Sequence, residues 1–188
     1  MSPREPSRKP PRPLDEARLE QLAVAYVGRF ATTRAKLAAY LVRKLRERGW
    51  EAARPPATEV LVEKLARLGY VDDAAYALGK ARSLGQRGYG RRRVTVALRQ
   101  AGVGEEDGRA AHEVSASQSV VAALRFAQRK RLGPFAAERP DPKARDRALA
   151  AMLRAGHDFD LARRILNLAP GSVTDPAQPI EGLSDDYR

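Results

Sequence analysis

GYVDDAAYALGKARSLGQRGYGRRRVTVALRQAG, residues 69–102, holds a helix end, a helix start, a glycine-rich turn, a strongly basic second helix and a closing glycine. Gly69 suits the left-handed position after a helix, and Asp72 or Asp73 can accept hydrogen bonds from the unpaired N–H groups of the next one. From Asp73, the positions Tyr76, Ala77, Lys80 (through its stem), Ala81 and Leu84 keep a helical spacing until Gly85, Gly88 and Gly90 interrupt it. A second helix starts near Arg91 with the face Val94, Ala97, Leu98 and Ala101, and Gly102 stands where a terminating glycine belongs. Residues 72–102 carry seven Lys or Arg against two Asp, a net charge of +5. The stretch predicts a compact helical unit with a cationic skin.

Toward the N-terminus, Leu19, Leu22, Ala23, Tyr26, Val27 and Phe30 form an amphipathic stripe that begins near Asp15. Thr32 or Thr33 can cap a second helix, with Leu37, Leu41 and Leu45 on one side and a stop at Gly49. Trp50 then plugs the local core. Pro55 and Pro56 mark a connector, and Thr58 with Glu59 opens a third helix whose inward residues are Val60, Leu61, Leu65 and Leu68. Residues 1–13 hold five prolines and four basic residues with little to bury, which predicts a disordered arm through residue 14.

Toward the C-terminus, a weak helix spans about 105–114, burdened by Gly108, with Ala110, Ala111 and Val114 inside. The next runs from about Ser117 to Leu132 over Val120, Ala123, Leu124 and Ala127, and Gly133-Pro134 ends it. Asp141-Pro142 is an N-cap followed by a first-turn proline, opening a helix with the face Ala148, Ala151, Met152 and Ala155 before Gly156. Asp158 caps a last helix with Phe159, Ala162, Ile165 and Leu166 inward. The segment from Gly171 has four Asp or Glu against one Arg and reads as a mobile tail.

A repeat joins these pieces. Leu45, Leu98 and Met152 each precede a glycine by four residues (Gly49, Gly102, Gly156), and Leu41, Val94 and Ala148 lie one turn further back. The expected fold is all-α, an elongated array of three tandem three-helix modules at 15–70, 71–115 and 116–169, between the arm at 1–14 and an acidic flexible tail at 170–188.

With 188 residues, 31% charged, the chain has little material for one thick core. Its net charge of +12 is the footprint of a protein working beside a polyanion, nucleic acid being the commonest. The absence of cysteine excludes disulfides, thiolate catalysis and cysteine-held zinc, and agrees with a reducing compartment. No apolar run is long enough for a bilayer and no secretion signal is visible, so the expectation is a soluble cytoplasmic protein without membrane contact.

Arg91, Arg92 and Arg93 oppose the dipole of the helix they open, a cost that an anionic partner offsets. With Arg82, Arg87, Arg99, Arg129 and Lys130 they form the candidate surface for DNA phosphate or an acidic protein. Gly88-Tyr89-Gly90 reads first as a helix connection with a tyrosine filling a seam; the alternative is N–H groups offered to phosphate and Tyr89 stacking on a base. No nucleophile, base and orienting group assemble, His112 and His157 stand apart, and Asp72 and Asp73 suit capping, so neither an enzyme nor a metal or cofactor site is expected.

The segment Gly69, Tyr70, Val71, Asp72, Asp73, Tyr76, Ala77, then Gly88, Tyr89, Gly90, Arg92, Arg93, Val94, Leu98 and Gly102 resembles the diagnostic motif of the RecX family of bacterial regulatory proteins. The likeness extends in pattern over about 15–168, with an added helical turn at 45–49 and a longer connector at Pro55 and Pro56. The resemblance implies a monomer that binds the filament of RecA on single-stranded DNA along its groove. It implies inhibition of RecA's ATPase, strand-exchange and coprotease activities, and hence a role in recombination, DNA repair and the SOS response. The alternative is a sequence-nonspecific DNA- or RNA-binding helical module independent of RecA.

Overall fold

The computed structural model describes residues 12–177 together with Ile180 and Leu183. Among these residues the chain forms nine α-helices and one 3-10 turn, and no strand beyond an isolated bridge between Leu14 and Trp50. It divides into two compact units, Met1–Asp72 and Asp73–Arg188.

The first unit contains α1 (Glu16–Val27), α2 (Arg34–Arg48) and α3 (Thr58–Arg67). Asp15 caps α1 by accepting from the Arg18 N–H at 2.8 Å, and Thr33 rather than Thr32 caps α2 through the Lys36 N–H at 3.2 Å. Leu14, Leu19, Leu37, Leu41, Val62, Leu65 and Val71 are buried together, with Trp50 against them. Trp50 donates its indole N–H to the Arg54 carbonyl at 2.6 Å, so its polar edge is satisfied. Leu14, at the boundary of the expected arm, is fully buried; its N–H donates to Gly49 O at 3.0 Å and its carbonyl accepts from Glu51 N–H at 2.9 Å. The rest of that arm, residues 1–11, lies outside the described residues.

Three inward assignments are corrected here. Val60 and Leu68 are 67% and 60% exposed, and α3 instead turns Val62 and Leu65 inward. Val60, Leu61 and Val62 are consecutive apolar residues, so periodicity alone leaves the face of this short helix ambiguous. Phe30 is also exposed, because α1 has ended at Val27 and the helical spacing no longer governs it; its ring sits 5.4 Å from that of Tyr26, which stacks on Tyr40 at 4.1 Å.

The second unit contains α4 (Asp73–Gln86), α5 (Arg91–Gln100), α6 (Glu105–Ser117), α7 (Ser119–Lys130), the 3-10 turn Gly133–Phe135, α8 (Pro142–Arg154) and α9 (Phe159–Asn167). One core unites Ala77, Ala81, Leu84, Val94, Leu98 and Ala111; the small side chains let α4 and α6 approach closely. Ala110, expected inside, is exposed, while Gly108 is buried. A second core joins Leu124, Phe126, Met152, Leu161, Ile165 and their neighbours. The first residue of α9, Phe159, is exposed, and Leu161 takes the inward place expected of it. Asp141 caps α8 by accepting from the Ala144 N–H at 2.7 Å, with Pro142 in the first turn. Of the segment expected to be a mobile tail, Val173 is buried, and Leu183 and Ile180 lie against this core.

The three repeated glycines all take positive φ, +79° at Gly49, +69° at Gly102 and +93° at Gly156, each just beyond a helix. One turn or two before them, Leu41, Val94, Leu98, Ala148 and Met152 are buried.

Candidate functional site

The Gly88-Tyr89-Gly90 turn is the place where the two cores of the second unit meet. Tyr89 packs against both. All three N–H groups of the turn are used: Gly88 donates to Gly85 O at 2.9 Å, Tyr89 to Leu84 O at 3.0 Å and Gly90 to Ala155 O at 3.0 Å. The turn therefore offers no free N–H cradle for phosphate, and the connection reading holds. Arg92 N–H donates to Gly156 O at 3.1 Å, so carbonyls at the end of α8 meet the N–H groups that open α5. The negative end of one helix dipole faces the positive end of another.

The close approach explains the glycines. A Cβ on Gly88 would lie 2.7 Å from the Phe126 nitrogen, one on Gly156 would lie 2.5 Å from the Arg93 nitrogen, and one on Gly90 would strike the Gly156 carbonyl. His157 completes the junction. Only 2% exposed, it contacts the Gly88 carbonyl through Nε2 at 3.1 Å, and since a carbonyl only accepts, Nε2 must carry the proton. Burial pushes its pKa down to about 4, opposed by the Gly88 hydrogen bond and assisted by the charge of Arg129. Gly156 and His157 escaped the sequence reading: the glycine was legible only as a helix terminator, and nothing in the sequence pairs His157 with Gly88.

Around this junction the expected basic patch divides. At roughly 100° per residue, α5 turns Val94, Leu98 and Ala101 to the core, and places Arg91, Arg92, Thr95, Val96 and Arg99 on one exposed arc. Arg93 falls on the other side of that arc. It joins Arg87 and Arg129, and the three guanidinium carbons lie 5.7, 5.8 and 5.6 Å from the centre of the Tyr89 ring. Arg129, from α7, also donates to the Arg87 carbonyl and sits 5.4 Å from the Phe126 ring. None of these three arginines is in an ion pair among the described residues.

The other arc borders a groove of about 450 Å³ between α5 and the start of α9. Arg91, Arg92 and Arg99 line it on one side, and Asp158 and Leu161 on the other, with Val96 47% exposed. Its one carboxylate, Asp158, stands 3.9 Å from Arg92. Arg82 and Lys130 are exposed but line neither this groove nor the Tyr89 cluster.

Among the described residues, no three His, Asp or Glu side chains group as a metal site, and no helix is long and apolar enough to cross a membrane. Fold and surface together define an all-helical protein of repeated helical triplets with exposed cationic faces. The model of the RecX second three-helix domain matches residues 72–111, from the residue before α4 into α6. The regulatory protein RecX of Myxococcus xanthus is 37% identical over 176 residues, spanning 86% of this chain and 91% of the relative. That of Agrobacterium fabrum is 28% identical over 139 residues, spanning 72% and 74%. The crystal structure of RecX from Lactobacillus salivarius superposes with a TM-score of 0.57 at 16% identity over 80% of this chain and 93% of that one. A second crystal structure of regulatory protein RecX gives 0.57 at 22% identity over 80% and 70%. The chain belongs to the RecX family of regulatory proteins.

Proposed function

We propose that this protein regulates the RecA recombinase, binding the RecA filament on single-stranded DNA along its groove and inhibiting ATPase, strand exchange and coprotease activity. Family membership carries the reading, through 37% identity over 176 residues to a regulatory protein RecX. Physical support comes from a net charge of +12 and from two exposed arginine groups on either side of α5. A cationic protein that touches both DNA phosphate and neighbouring RecA subunits opposes the subunit rearrangements that ATP hydrolysis and duplex entry require. The protein acts by binding, with no reaction of its own.

A second reading, a nucleic-acid binder indifferent to RecA, is favoured by the Tyr89 cluster, where cations surround an aromatic ring. Fluorescence anisotropy separates the two. The labelled protein is titrated with RecA-coated single-stranded DNA, with bare DNA and with RecA alone. Preference for the coated filament over both parts supports RecA regulation; equal affinity for bare and coated DNA supports the second reading.

A further inference from the structure

We infer that the groove beside α5 docks an acidic segment of a protein partner through carboxylates and one aliphatic side chain, and that nucleic acid contact belongs to the Tyr89 side. The inference deepens the proposed function and rests on it only for the partner being a protein. Three features of the groove set its chemistry. Arg91, Arg92 and Arg99 line one wall, and neither Arg91 nor Arg99 is in an ion pair among the described residues. Guanidinium forks bind carboxylates and phosphates alike in two-point fashion, so these arginines fix the sign of the ligand and the remaining features its class. Val96, nearly half exposed, gives the groove an apolar surface, which a phosphodiester chain cannot use but an aliphatic side chain can.

The third feature is what the groove lacks and what it holds. No Phe, Tyr or Trp lines it, and the His157 ring at its border is only 2% exposed, so a base finds no open aromatic face there; Asp158 presents a carboxylate, which repels any adjacent anion and for which a sugar-phosphate chain has no compensating donor. Against a peptide, that same carboxylate can accept a main-chain N–H. Across α5 the arrangement is reversed: Arg87, Arg93 and Arg129 surround Tyr89, with an aromatic ring and no ion-paired acid among the described residues. The volume of about 450 Å³ suits a few side chains of a docked segment. Two faces of one helix thus separate two anions by shape as well as charge.

The test uses the full chain and two fluorescent probes of matched charge: an Asp/Glu-rich peptide with a single central leucine, and an oligothymidylate. The expected result is that Val96→Ser, an exposed substitution, weakens the leucine peptide about tenfold and leaves oligothymidylate within twofold. Arg99→Gln should behave likewise, Arg129→Gln should do the reverse, and a serine in place of the peptide's leucine should erase the effect of Val96→Ser. Circular dichroism confirms that each variant keeps its helicity. The inference is overturned if the unmodified chain fails to bind the peptide, or if groove variants lose both probes in parallel. RecA is absent from these titrations, so their failure leaves the RecA reading standing, and loss of RecA inhibition leaves peptide docking standing.

Discussion

His157 Nε2 donates to the carbonyl of Gly88 at 3.1 Å, tying the connection between α8 and α9 to the turn between α4 and α5. The ring is buried and its pKa is lowered from 6.5 to about 4. Because the unfolded chain takes up this proton first as pH falls, the neutral ring's contribution is fully present above pH 6.5 and is lost down to about pH 4. The loss is on the order of 3 kcal/mol. Urea unfolding followed at several pH values should therefore give a steeper acid-side loss for the natural chain than for His157→Gln, which keeps a donor without titrating; parallel profiles would reject the assignment.

The glycines separate two kinds of cost. Gly90 has an ordinary φ of −83°, but an added Cβ would strike the Gly156 carbonyl. Gly49 has a φ of +79° with nothing within 4 Å of an added Cβ. Gly90→Ala should cost about 2 kcal/mol or more by forcing α5 and the end of α8 apart, whereas Gly49→Ala should cost about 1 kcal/mol from backbone strain alone. Thermal unfolding of both variants checks the order, which a purely conformational role for Gly90 would invert.

Burial assigns stability to particular apolar residues. Leu98 is 2% exposed, so Leu98→Ala should cost about 2–5 kcal/mol. Val60 is 67% exposed, so Val60→Ser should stay within about 0.5 kcal/mol. A large loss for Val60→Ser in chemical unfolding would restore the face of α3 that its periodicity suggested.

The motif made the second triplet readable. Tyr76, Ala77, Ala81, Leu84, Val94 and Leu98 have the spacing of two helices, and Gly88 and Gly102 interrupt it where φ is positive. Short helices with closely spaced apolar residues were less readable: α3 could turn Val60 or Val62 inward, and α9 Phe159 or Leu161. The site was readable in composition but not in division. Arg91, Arg92 and Arg93 are adjacent in sequence, yet one helical step separates the groove arc from the Tyr89 side. That separation becomes visible only when α8, α7 and α9 are in place.

Division of the patch predicts distinct salt behaviour for its arginines. Arg93→Gln combined with Arg129→Gln should reduce the slope of log affinity for oligothymidylate against log salt by about 0.7 for each phosphate that is no longer neutralised. Arg91→Gln should change that slope little. Equal changes at both sides would mean that α5 presents one undivided electrostatic surface.

RecA's single-stranded-DNA-dependent ATPase, measured as this protein is added, tests regulation of the filament most directly. The expected result is a progressive fall in hydrolysis that is complete by about one protein per RecA subunit, accompanied by loss of strand exchange. Unchanged hydrolysis and strand exchange at that ratio, with the protein folded and present, would contradict it.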